Sequence, residues 1–249
     1  MDMKREKKGT HKIIVPALIL AAVTASILAN GPHPYYRMAK SELSMAVMSG
    51  NADEVKKALA GGADVNGTEA DGRKMAPLHF AVGMNNLVIT QLLIDKGARV
   101  NIQDGNGSTP LHYLVMGTSI PEDADVRFLV EKGADIALKN HDGDTSLHGA
   151  AGYARPETLE FLVKKSGAVN VKNGRGWTPL HSAVHCENVE NTGVLLKNGA
   201  DPAIRDNTGN TAADLIAKKR TKYGSRSREA GEYEKVLDSL KRVFSQYGK

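Results

Sequence analysis

Imidazoles are the first candidates for chemistry in this chain. His79, His112, His148 and His181 recur at intervals of 33, 36 and 33 residues, and an imidazole can ligate a metal or move a proton near neutral pH. Either task needs side chains that converge on one point. One histidine per regular interval instead spreads them along an axis. His185-Cys186 is the one pair that could supply a nucleophile and its base. Adjacent residues on a helix point about 100° apart, however, and no Asp or Asn stands in an obvious supporting position. Gly105-Asn106-Gly107 and Asn173-Gly174-Arg175-Gly176 have the glycine content of phosphate loops but lack the Lys-Ser/Thr that follows one. No catalytic residue, metal site or cofactor is expected.

The histidines belong to a longer phrase. It reads Ala76-Pro77-Leu78-His79, Thr109-Pro110-Leu111-His112, Thr145-Ser146-Leu147-His148 and Thr178-Pro179-Leu180-His181, with a worn copy at Thr211-Ala212-Ala213-Asp214. A second phrase keeps the same beat at Gly62-Ala63-Asp64, Gly97-Ala98-Arg99, Gly133-Ala134-Asp135 and Gly199-Ala200-Asp201. A period of this size means one supersecondary unit stacked on copies of itself. Thr is a good N-cap and Pro suits the first helical position, so each phrase opens a helix whose leucine points into the stack. Gly in the second phrase ends the following helix in the left-handed conformation.

In these residues the chain resembles the ankyrin repeat family, from about Ser41 to the C-terminus. The resemblance implies an all-α solenoid of about six helix-turn-helix repeats with β-turn fingers, residues 41–249. The repeats start near Ser41, Gly72, Gly107, Gly143, Gly176 and Gly209, and the first and last act as caps, as the ends of a stack must. It also implies that the repeated histidines tie neighbouring fingers together. The last repeat is expected as a helix over 212–219 and another over about 229–245 with Val236, Leu237, Leu240, Val243 and Phe244 on one face. Gly67–Met75 makes a finger about two residues longer than its siblings, and Gly117–Asp123 carries an insertion between the helices of repeat three. Repeat five departs most: Glu187 stands where a Gly turn is usual, and Asn191-Thr192 where aliphatic residues are. It is expected to be the softest internal repeat.

Ahead of the repeats, Lys4, Arg5, Lys7, Lys8 and Lys12 precede an uncharged run from Ile13 to Ala29. That is the layout of a secretory signal peptide, with Ala25 or Ala29 at the cut. Its 17 residues make about 25 Å of helix, short of a bilayer core of roughly 30 Å, so an uncleaved membrane anchor is the competing reading. Residues 30–40 then form a linker. Both readings put the repeats outside the cytoplasm, and a bacterial periplasm suits a chain with one cysteine, Cys186.

The net charge of +5 is unevenly shared. Residues 218–249 hold ten basic and four acidic side chains, whereas residues 30–217 hold 18 basic and 22 acidic ones. The basic cap, without interleaved aromatics, does not point to nucleic acid; an anionic lipid surface is its alternative partner.

What remains is protein binding. In the resembled family the concave face, made of finger tips and the exposed side of each first helix, holds partners. On fingers this gives Arg73, Lys74 and Met75; Asn106 and Ser108; His141, Asp142 and Asp144; Arg175 and Trp177; and Asn207 and Asn210. On helices it gives Met84, Met116, Tyr153 and His185, with Lys218 and Lys219 at the far end. Trp, Tyr and Arg most often dominate interfaces, and Met supplies an adaptable apolar surface. The expectation is a monomeric, non-catalytic envelope protein that binds, and by extension inhibits or protects against, a partner enzyme such as a cell-wall hydrolase. The alternative is an anchored scaffold meeting anionic lipid.

Overall fold

The computed structural model describes residues 39–116, 123–223 and 230–247, the side chains of 218–223, 230–235 and 237 excepted. The expected signal or anchor (1–29), most of the linker, and the insertion at 117–122 lie outside the described residues. The described chain forms six helix pairs. These are α1 (Glu42–Ser49) with α2 (Ala52–Ala60), α3 (Pro77–Gly83) with α4 (Leu87–Asp95), and α5 (Pro110–Met116) with α6 (Asp123–Glu131). They continue as α7 (Ser146–Tyr153) with α8 (Pro156–Ser166), α9 (Pro179–His185) with α10 (Val189–Lys197), and α11 (Ala212–Tyr223) with α12 (Ala230–Tyr247). First helices pack on one another in chain order, and second helices line up behind them. No helix among the described residues is long and apolar enough to cross a membrane.

The repeated phrase explains the first helices. Pro77, Pro110 and Pro179 open α3, α5 and α9, where no intrahelical partner for an N–H exists. Leu78, Leu111, Leu147 and Leu180 are buried, each contributing about 1.5–3 kcal/mol by leaving water. At the end of the chain, α11 runs four residues past the expected Lys219. Beyond it, α12 covers the last repeat by burying Leu240, with Val236, Val243 and Phe244 half-buried.

Between repeats, side-chain amides act as clasps. Asn66 accepts from the Arg99 N–H and donates to the Gly97 carbonyl; Asn101 does the same with Asp135 and Gly133, and Asn170 with Asp201 and Gly199. In repeat three this place falls to Ala137, and between repeats four and five a second clasp stands beside that of Asn170. There, the Asn191 amide donates to the carbonyls of Ala150, Ala151 and Ala154 at 2.9–3.2 Å, and Asn188 to that of Gly152. These carbonyls end α7, whose turn into α8 is only Ala154-Arg155 before Pro156. Asn191 and Thr192 are fully buried; the Asn191 amide caps the end of α7, while the Thr192 hydroxyl donates to Asn188 O within its own repeat. Glu187 does take the left-handed backbone (φ 60°) that a Gly would adopt freely. Asn191→Leu restores an aliphatic residue but orphans buried carbonyls, so it is expected to destabilise by about 1–2 kcal/mol. A lowered thermal midpoint checks this; a midpoint at or above wild type would show that the clasp contributes nothing.

The long first finger also closes differently. Ordinary fingers close from Asp104 N to Ser108 O, Asn140 N to Asp144 O, and Asn173 N to Trp177 O, whereas here Glu69 N reaches Met75 O across two extra residues. The slack lets Lys74 take φ 49° and lets Met75 turn inward, 1% exposed. Met75 is thus a core residue and not a finger-tip contact, because its burial gains about 2 kcal/mol that display would forgo. Glu69, itself buried, accepts from Lys40 N, Ser41 N and the Ser41 hydroxyl, securing the start of α1.

Candidate functional site: the finger and first-helix face

The histidines build the platform. Each Nδ1 accepts the N–H of the residue three before it, from Ala76, Thr109, Thr145 and Thr178, at 3.0–3.2 Å. With Nδ1 an acceptor, the neutral ring carries its proton on Nε2. That nitrogen donates to the next finger: His79 to Ser108 O, His112 to Asp144 O, His148 to Trp177 O and His181 to Asn210 O, at 3.0–3.2 Å. The Thr109, Thr145 and Thr178 hydroxyls donate to the same Nδ1 atoms at 2.8–3.0 Å. Threonine therefore caps its helix chiefly by fixing the histidine, which differs from a direct N-cap. In the worn copy the Asp214 carboxylate replaces the ring, accepting from the Thr211 N–H and hydroxyl. Burial holds all four imidazoles below their ordinary pKa. They are structural.

Each finger turns around one side chain. Asp104, Asn140, Asn173 and Asp206 each accept, through Oδ1, the backbone N–H groups two and four residues on, an Asx-type turn. Successive fingers then join backbone to backbone, His141 N to Asn106 O, Gly174 N to Asp142 O and Asn207 N to Arg175 O. Gly143 shows how close they come. It has φ 77°, and a Cβ there would lie 2.6 Å from Gly174 N.

On this platform Trp177 is fixed from three sides. Its indole Nε1–H points to Asp206 Oδ2 at 3.3 Å, its ring meets the His185 ring at 4.8 Å, and the Arg175 guanidinium lies 5.5 Å over it. Burial alone would push the Asp206 carboxyl up, but hydrogen bonds from Asn210 N–H, Thr208 and Trp177 outweigh it and hold it well below the carboxylate range. In repeat three the Tyr113 hydroxyl donates to Asp104, the turn residue of its own finger, at 2.7 Å.

Beside Trp177 lies a hollow of about 120 Å³ lined by Met116, Asp144, Tyr153, Arg175, Trp177, His185 and neighbours. Two glycines of α7 shape it. A Cβ on Gly149 would strike Met116, and one on Gly152 would lie 2.7 Å from Cys186 Sγ. Their absence lets Met116 (47% exposed) and Cys186 lie against α7 from either side, with Tyr153 (54% exposed) standing between. The Tyr153 hydroxyl is hydrogen-bonded to Cys186, which raises its pKa above the ordinary value.

Six expected contact residues thus meet at one place. The others stand apart from it. Arg73 and Lys74 are exposed on the first finger, Asn106 is exposed on the second, and Met84 half-buried ends α3. His141 and Asp142 are exposed one finger before Trp177. The side chains of Lys218 and Lys219 lie outside the described residues. Lys139 and Lys172 were missed by sequence reasoning. Both are exposed, and each ammonium reaches over the next finger, Lys139 to Lys172 O and Lys172 to Arg205 O at 2.8–2.9 Å. The signal available was their position directly before the turn residues Asn140 and Asn173.

His185 ends α9, with Cys186 as the cap residue after it. His185 faces the Trp177 ring and Cys186 meets Tyr153, so the two side chains serve different neighbours. Among the described residues no three His, Cys, Asp or Glu side chains gather as a metal site would require.

A family model described as ankyrin repeats (3 copies) matches residues 43–140 and 119–206. Potassium channel KOR1 of Oryza sativa subsp. japonica is 44% identical over 73 residues, 29% of this chain and 8% of the channel. Arf-GAP with coiled-coil, ANK repeat and PH domain-containing protein 2 is 39% identical over 71 residues in Gallus gallus, covering 28% of this chain and 9% of that protein. In Homo sapiens it is 39% identical over 72 residues, or 29% and 9%. The chain spans less than a tenth of the length of these curated relatives, so the likeness is one of repeats and not of whole proteins. Ankyrin repeats are protein-binding modules, in general without chemistry of their own. With the match running through the paired helices, the histidine ties and the fingers, the chain belongs to the ankyrin repeat family.

Proposed function

We propose that this chain takes a partner protein on its finger and first-helix face, with Trp177 and the hollow beside it at the centre of contact. The observation that carries this is the convergence of Trp177, Tyr153, Arg175, His185 and Met116 around one opening, with the indole held rigid before any partner arrives. Preorganised aromatic anchors lose little freedom on binding and dominate interface energies. We further propose that the stack works in the cell envelope, restraining or protecting against an enzyme there such as a cell-wall hydrolase. The basic segment and apolar run at residues 4–29 support that placement; the absence of a convergent catalytic set among the described residues is compatible with a binding role.

A tagged chain used to capture partners from envelope extracts tests both halves. One envelope enzyme retained by the wild type, released by Trp177→Ala and weakened by Tyr153→Ala is the expected result. Retention unaffected by either change would overturn the proposed face. Capture of cytoplasmic proteins alone, with the chain itself fractionating inside the cell, would overturn the location.

A further inference from the structure

We infer that the partner presents an acidic segment to this face, with one large apolar side chain seated in the hollow beside Trp177. The inference rests on the face proposed above and adds the chemistry of what it takes.

The fingers are the cationic part of an otherwise acidic stack. Arg73, Lys74, Lys139, Lys172, Arg175 and Arg205 are all exposed. The finger carboxylates are mostly consumed by the fold: Glu69, Asp104 and Asp206 are buried and accept N–H groups. Asp71, Asp142 and Asp144 remain nearer the surface, and two of them are tied, Asp71 to Arg73 N–H and Asp144 to the Asn173 amide. Lys139 and Lys172 rest their ammonium groups on backbone carbonyls, which orient the charge without neutralising it. Of the first helices, α3, α5, α7 and α9 contain neither Asp nor Glu, whereas α1 carries Glu42 and Asp214 of α11 pairs with Arg205 at 3.6 Å. Residues 30–217 nonetheless hold 18 basic and 22 acidic side chains, so the body of the stack carries the opposite sign. An acidic partner is therefore drawn to the fingers and repelled elsewhere, which steers encounter and orientation.

The hollow selects what stands among those acids. At about 120 Å³ it has room for one side chain, with Met116, Tyr153 and the indole as apolar walls. An acyl chain needs a longer apolar furrow. A polyphosphate backbone would meet the Asp142 and Asp144 carboxylates between the two cationic fingers, whereas a peptide can place its acids on either side of them.

The test selects short random peptides by display on the full chain and then measures each winner by fluorescence anisotropy. Winners should be net acidic and carry one Leu, Met, Phe or Trp. Lys139→Glu/Lys172→Glu should weaken them by about tenfold or more, and raising the salt should weaken wild-type binding similarly. Lys139→Gln/Lys172→Gln is the variant that keeps the fold, since Gln103 already makes the same cross-finger bond to Lys139 O; it should weaken binding by roughly threefold. Neutral or basic winners, insensitive to both lysine variants yet lost with Trp177→Ala, would overturn the acidic partner and leave the face standing. Winners indifferent to Trp177→Ala would overturn the face itself. Failure to select any peptide, or lysine-dependent binding to phosphatidylglycerol vesicles in place of peptides, would overturn the inference.

Discussion

Acidification from about pH 7.5 to about pH 5 is expected to destabilise the stack. His79, His112, His148 and His181 are buried as neutral rings, and burial lowers each pKa from the ordinary 6.5. Unfolded, they take up protons near 6.5. Between that value and the lower folded one, the unfolded state binds more protons than the folded state, so stability falls as pH falls. The slope reaches about 1.4 kcal/mol per pH unit for each histidine. All four act in the same direction, so their losses add. The histidines contribute fully above pH 6.5 and progressively less below it. Carboxylates act in a separate, more acidic window, and Asp206 lies lower still. Urea midpoints at a series of pH values check this, and a midpoint unchanged between pH 7 and 5 would mean that the rings are not buried neutral.

Trp177→Ala is expected to weaken partner binding by at least about 2 kcal/mol, roughly thirtyfold. The indole is held by Asp206, His185 and Arg175, so the free protein has already arranged the surface it presents. Removing it also releases Arg175 and widens the hollow, which costs the partner its wall as well as its anchor. The histidine tie to this residue uses the Trp177 backbone carbonyl and survives the change. Circular dichroism and thermal melting should therefore stay near wild type while titration calorimetry shows the loss. A variant that binds normally, or that loses binding only because it unfolds, would remove Trp177 from the interface.

The helix stack was legible because its determinants are local and repeated. Pro at a helix start, Leu one position on and Gly after the second helix act within a few residues, and four copies average out the exceptions. The histidine ties were expected through the resemblance to the ankyrin repeat family, since their acceptors lie a whole repeat away in sequence. Met75 was not, because two extra residues in the first finger changed which way a finger-foot side chain turns. The bonds of Asn191 were not legible, since its partners Ala150, Ala151 and Ala154 lie some forty residues earlier and meet it only through stacking. Lys139 and Lys172 were passed over because the motif marks the turn, while their reach over the next finger is a property of stacking. At the site itself, residue type singled out Trp177 and Tyr153. Their meeting around one hollow depended on Gly149 and Gly152, whose significance is a matter of close approach between helices.

We place recognition on the finger and first-helix face around Trp177. Hydrogen–deuterium exchange of the full chain, free and with its captured partner or a selected acidic peptide, tests it most directly. New protection is expected in the fingers at 139–144 and 172–177 and at the ends of α7 and α9, with α2, α4, α8 and α10 unchanged. Protection confined to those second helices, or to α12, would contradict it.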